Sequence, residues 1–203
     1  MNDQDFEVAF VDAAFVLGAQ KGWSCVTPAA VARHVGINLP QARSSFACTG
    51  AILKKFGRQA DAFALANVAM EDSVKDKLFD ILLRRIDYLQ ERRAGVIALT
   101  RYLPFCPPLA LALGEMNIAS MGWLLEGAGV SATGFSGALK KRGLLVIWLY
   151  ALRVWSTDES PDLAATMAAV DSALAKASTL VSRFGNDQPA TEVTTSTERV
   201  FED

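Results

Sequence analysis

Apolar residues return at three- and four-residue steps along almost the whole chain, which is the spacing of one face of a helix rather than of a strand. Phe6, Phe10, Ala13, Ala14, Leu17 and Gly18 predict a first helix over residues 4–21, stopped by Gly22. Thr27-Pro28 opens a second, short one over 28–36: the threonine oxygen can cap it, and proline suits the first helical position. Further helices are expected over 39–46, 49–70, 74–92, 96–103, 109–125, 135–155 and 161–184, with turn residues between them. No stretch alternates with period two, so the fold class is all-α: an N-terminal three-helix helix-turn-helix unit joined to a C-terminal helical bundle.

Composition sharpens this. The 203 residues are 51% hydrophobic, enough for one substantial core, and carry a net charge of −2, so any nucleic-acid contact must come from a local patch. Three cysteines without a CxxC pair fit a reduced cytoplasm, and a single histidine supplies a metal or histidine-dependent enzyme site poorly. The acidic start lacks the order of a signal peptide. The longest unbroken apolar run, 144–152, is far short of the roughly 20 residues a bilayer needs. The chain is thus expected to be cytoplasmic, without membrane insertion. Gly127-x-Gly129-x-x-Ala132 meets the dinucleotide fingerprint in letters only, since it follows a helix. Neither catalysis nor a cofactor is implied.

Composition also divides the chain. Residues 1–48 form the helix-turn-helix unit, 49–185 a bundle for ligand binding and dimerisation, and 186–203 a Thr-rich acidic tail expected to be disordered.

The front unit carries the chemistry most specific to a function. Ala32-x-x-x-Gly36 lets two helices approach and turn, and the next helix would face inward with Leu39, Ala42 and Phe46 while presenting Gln41, Arg43, Ser44 and Ser45. Arginine can pair bidentately with guanine and glutamine with adenine in a major groove. Thr27, Arg33, Lys54 and Lys55 complete the candidate DNA-binding set, although up to Arg58 only six basic residues stand against four acidic ones. The plainer reading is a bundle corner with a solvated charged face.

Phe10-Val11-Asp12-Ala13-Ala14, Gly22, Thr27, Val31-Ala32, Val35-Gly36-Ile37, Phe46 and Ile52-Leu53, in this order, resemble the N-terminal domain of the TetR (tetracycline-repressor) family, over roughly the first 60 residues. The resemblance implies a homodimeric repressor whose third helix enters operator DNA, with Thr27 beside a phosphate. Arg43 stands where the family usually has tyrosine, and Thr49 where it usually has a phosphate-contacting lysine.

In the larger half, Leu82, Tyr102, Met121, Trp123, Leu125 and Trp148 are candidates to line a pocket for an apolar or lipid-like small molecule, and equally suit plain core. In the last long helices Trp155, Leu163, Met167, Val170, Leu174 and Ala177 recur at near-heptad steps among alanines, a seam for a homodimer or for packing within the chain. Ser160-Pro161-Asp162 reads as the start of the last helix. Stretches including Leu89-Gln90-x-x-Arg93-Ala94-Gly95-Val96, Arg153-Val154-Trp155 and Asp158-x-Ser160-Pro161-Asp162-Leu163 also resemble the TetR-related lipid-binding family that assists ubiquinone biosynthesis. That likeness implies an alternative: an isoprenoid carrier that keeps the scaffold without reading DNA.

Overall fold

The computed structural model describes residues 3–69 and 71–185; the acidic tail lies outside them. Among the described residues every regular element is helical: α1 (Asp3–Lys21), α2 (Pro28–Val35), α3 (Leu39–Ser45), α4 (Thr49–Leu65), α5 (Val74–Gln90), α6 (Arg93–Tyr102), α7 (Pro107–Gly127), α8 (Gly134–Thr157) and α9 (Ala164–Gly185), with short 3₁₀ turns at Trp23–Cys25 and Leu103–Phe105.

The front unit assembles as the sequence predicts. Thr27 Oγ1 accepts from the Ala30 amide at 3.1 Å, and Asn38 Oδ1 accepts from the Gln41 amide at 2.9 Å, so α2 and α3 both start on a side-chain cap. Gly36 adopts φ +72° at the turn between them, a conformation that favours glycine. Phe10 of α1 stacks on Phe46 with ring centroids 4.8 Å apart. Burying each ring stabilises the unit by about 1.5–3 kcal/mol.

Helix boundaries differ from expectation where caps outweigh periodicity. α4 ends at Leu65, short of residue 70, because Asn67 turns left-handed at φ +60° and Arg84 donates to the Ala66 and Asn67 carbonyls at the negative helix end. α7 begins at Pro107, since Pro107-Pro108 occupy first-turn positions where a missing N–H costs nothing. α6 begins at Arg93, after a break at only Glu91 and Arg92. α9 begins at Ala164, and Pro161-Asp162 belong to the turn before it. There Leu163 sits at φ +53° while Ser160 Oγ accepts from the Ala164 amide at 3.1 Å.

A single apolar core runs from Phe6 of α1 to Leu174 of α9. Helices α4, α5, α7 and α8 surround its centre, α9 lies against α5 and α8, and α6 joins the front unit to the rest through α1. α7 is 21 residues with a mean hydropathy of 1.2 in its most apolar window, so it is long and apolar enough to cross a membrane. Its buried Met121, Leu124 and Leu125 tie it into the bundle.

Candidate DNA-reading face and bundle centre

Helix α3 buries Ala42, is followed by the buried Phe46, and exposes Gln41, Arg43, Ser44 and Ser45, so the four candidate groove-reading side chains share the solvent side of one short helix. Leu39, expected to face inward, is 52% exposed, because the helix turns only one narrow edge toward α2. Arg43 Nη1 donates to the Ala47 carbonyl at 3.0 Å, and Ser44 Oγ to the Gln41 carbonyl at 2.8 Å. Thr49 Oγ1 donates to the Val26 carbonyl at 2.7 Å, which fastens the start of α4 beside the Thr27 cap of α2. Two helix N-termini thus lie near each other, an arrangement suited to a phosphate.

The remaining cations do not form one stripe. Arg33 lines an open groove of about 520 Å³ with Leu17, Lys21, Cys25, Ala30 and His34, between α1 and α2. Lys55 is ion-paired with Glu7 of α1, whereas Lys54 is exposed.

The pocket candidates also separate. Leu82, Met121, Leu125 and Trp148 are buried in the bundle, Tyr102 is half-buried, and Trp123 is 68% exposed on the outer side of α7. The bundle centre is not purely apolar. Arg85 of α5 is 4% exposed, with its guanidinium carbon 4.5 Å from the centre of the Trp148 ring. Its Nε sits 3.2 Å from Asp61 Oδ1 without hydrogen-bonding alignment, its Nη2 donates to Asn117 Oδ1 at 3.4 Å, and its Nη1 has no partner. Ser120 Oγ donates to the other Asp61 oxygen at 2.5 Å. Burial pushes the Arg85 pKa down, and Asp61 opposes that shift. A buried donor without an acceptor costs about 1–3 kcal/mol, and more when charged.

Arg85 is not among the candidate site residues read from the sequence. The available signal was register: Leu78, Ile81, Leu82, Arg85 and Leu89 follow one another at helical steps, so Arg85 falls inside the apolar stripe.

Of the two readings of the α8–α9 seam, the structure shows packing within the chain. Trp155, Val170 and Leu174 are buried within their own chain, and Leu163 and Met167 are half-buried. Trp155 Nε1 donates to Gln90 Oε1 at 2.7 Å under the guanidinium of Arg93, so this seam closes α9 and the end of α8 onto α5 and α6. Solvent instead meets Phe135 (90% exposed), Leu139, Val146 (68% exposed), Leu149 and Tyr150 of α8. Among the described residues no group of three or more His, Cys, Asp or Glu side chains is placed to hold a metal ion. Gly127 and Gly129 form the end of α7, where the Gly129 amide donates to the Glu126 carbonyl and the Val130 amide to that of Leu125.

No family model matches the chain, and no curated protein sequence matches it. Solved structures do. It superposes on a TetR transcriptional regulator from Nitrosomonas europaea ATCC 19718 with a TM-score of 0.69 at 19% identity, covering 86% of this chain and 98% of that one. A TetR regulator from Rhodococcus sp. RHA1 matches with a TM-score of 0.59 at 16% identity over 86% and 97% of the two chains. For a tetR-family regulator from Streptomyces coelicolor the values are 0.59, 17%, 93% and 92%. The chain therefore has the fold of the TetR transcriptional regulators, as its front residues suggested. The lipid-carrier resemblance of the larger half finds no support in these neighbours.

Proposed function

We propose that the protein is a TetR-type transcriptional regulator: a homodimer that binds operator DNA through α3 and responds to a small molecule held in the bundle. Residues 1–48 would be the reading head and 49–185 the sensing and pairing body. One observation carries the reading. α3 is anchored by Ala42 and Phe46 and capped by Asn38, while Gln41, Arg43, Ser44 and Ser45 stand together in solvent. A short rigid helix of this kind fits a major groove.

The pairing surface we favour is the outer side of α8. Phe135, Leu139, Val146 and Leu149 recur there at helical steps, and Ala165, Ala168 and Ser172 present small side chains on the neighbouring α9. Two copies joined there form a four-helix bundle about a two-fold axis. The two heads would then address half-sites about 34–36 Å apart or a multiple of it. An effector acts by binding more tightly to one spacing of the heads than to the other.

The test is fluorescence anisotropy of the full chain against DNA taken from directly upstream of its own gene, with a shuffled duplex as control. Preference for the upstream DNA, reduced by Arg43→Ala and Gln41→Ala, supports the reading; equal affinity for both duplexes, unchanged in the variants, overturns it.

A further inference from the structure

The open groove of about 520 Å³ on the front unit is walled by two helices. Leu17 and Lys21 stand one turn apart on α1, and Ala30, Arg33 and His34 follow at helical steps on α2, so each helix brings one face to the same hollow. Cys25 of the 3₁₀ turn between them lines it too. That turn is held by the core. Trp23 fills the space beside Gly18, where an added Cβ would lie 2.7 Å from the indole, and the Cys25 amide donates to the Gly22 carbonyl at 3.1 Å.

The charge in the groove is one-sided. Lys55, Lys75 and Arg92 each face a carboxylate, whereas among the described residues none pairs with Lys21, Arg33 or His34, and none lines the groove. The carbonyl ends of α1 and α2 each carry roughly half a negative charge, which balances only about one of the lysine and arginine charges. Two of those carbonyls are already occupied: that of Gly18 accepts from the Gly22 amide at 3.0 Å, and that of Ala32 from the Ile37 amide at 2.9 Å. Lysine and arginine bring donors and no acceptor, so whatever enters must supply the acceptor oxygens.

We infer that this groove binds a small organic dianion of the phosphomonoester class, with a short apolar body. The charged head accepts from Arg33 and Lys21, and the body lies over Leu17 and Ala30. The guanidinium fork and the ammonium both suit phosphate oxygens. A single exposed ion pair contributes little, so a doubly charged head that meets both cations binds better than a singly charged one. Arg33 lies about 9 Å along α2 from Thr27, so the groove is separate from the paired starts of α2 and α4 on the DNA-reading side. The inference does not rest on the regulator reading, and its test involves no DNA.

The probes are phenyl phosphate, benzoate and benzyl alcohol, titrated calorimetrically into the full chain at about pH 8, where a phosphomonoester carries close to two charges. The place of binding is read on the wild-type chain by alkylation with uncharged iodoacetamide and mass spectrometry. Cys25 lies in the groove and Cys48 at the start of α4, and both are exposed. The double variant Lys21→Gln/Arg33→Gln removes two charges from exposed positions and leaves the core intact. We expect saturable one-to-one binding of phenyl phosphate, weaker binding of benzoate and none of benzyl alcohol. In the double variant phenyl phosphate should bind at least about tenfold more weakly. Bound phenyl phosphate should slow the alkylation of Cys25 and leave that of Cys48 unchanged. The inference is overturned if phenyl phosphate fails to saturate the chain, if the double variant binds it as well, or if benzoate or benzyl alcohol binds as tightly. Protection of Cys48 in place of Cys25 overturns it too, since the anion then sits on the DNA-reading side.

Discussion

The indole nitrogen of Trp23 donates to the carbonyl of Gly95 at 2.9 Å inside the core. This one bond joins the 3₁₀ turn behind α1 to the first turn of α6. Phe15 packs edge-on against the same indole, and Arg92 pairs with Asp12 at 2.5 Å just beside it. At the other end of that contact, Arg93 Nη2 donates to the Asp158 carbonyl at 2.8 Å, between α8 and α9. α6 is therefore fastened both to the front unit and to the turn between α8 and α9.

Gly95 is the tightest point of this junction. A Cβ there would lie 2.6 Å from the Phe15 carbonyl oxygen, a backbone atom that cannot swing aside. Gly95→Ala should lower stability by about 1–3 kcal/mol. Trp23→Phe should cost about 0.5–1.5 kcal/mol by removing the indole bond to Gly95, whose carbonyl keeps its partner within α6. Urea denaturation reads both, and a midpoint equal to wild type for Gly95→Ala would contradict the packing described.

The Asp158 carboxylate accepts four bonds, two from the turn after α8 and two from the first turn of α9. Its Oδ1 accepts from the Ser160 amide and hydroxyl, and its Oδ2 from the Thr166 amide and hydroxyl at 2.8 and 2.7 Å. These bonds, the Ser160 hydroxyl foremost, hold the carboxyl well below the usual carboxylate range. A lowered folded-state pKa means that the stabilisation is fully present above the unfolded value, near 3.8, and is lost as pH falls below it. The stability gap between wild type and Asp158→Asn should stay constant from neutral pH down to about 4 and then close. Thermal melts across pH 2.5–7 check the sign; a gap that widens on acidification would refute it.

On DNA, Arg43→Ala should cost about 1–3 kcal/mol per half-site if it pairs with a base. Lys54→Ala should reduce the salt dependence of binding by about one phosphate contact per head. Lys55→Ala should leave that slope unchanged, since Glu7 already answers its charge. Anisotropy at several salt concentrations separates the three.

For pairing, Val146→Glu on the outer side of α8 should yield a folded monomer, while Val170→Glu should unfold the chain, because Val170 is fully buried within it. Light scattering gives the mass and circular dichroism the helicity. A dimeric Val146→Glu protein would move the pairing surface elsewhere. Trp123→Ser should change stability by no more than about 0.5 kcal/mol, as for other exposed positions, unlike a change at Trp148.

Helix existence and the front unit were legible from residue order alone. Thr27-Pro28 and Gly36 act on atoms within a turn of themselves, and Ala42 and Phe46 stand one helical turn apart, whereas the Asn38 cap of α3 was not read from the sequence. The Pro107-Pro108 start and the Asn67 end were harder to read, because the same residues can open or close a helix. Which applies depends on a partner such as Arg84 from another helix.

What local pattern determined, then, is the set of helices and the exposed edge of α3, since caps and periodicity are short-range. Tertiary structure alone decided which apolar face each long helix turned inward. Trp155, Val170 and Leu174 went into their own bundle, and Phe135, Val146 and Leu149 were left outside, although both sets read alike as stripes. It also decided that Arg85 is interior. A charged side chain is buried only where other helices bring it a counter-charge, a hydrogen-bond acceptor and an aromatic face, and Asp61, Asn117 and Trp148 reach it from α4, α7 and α8.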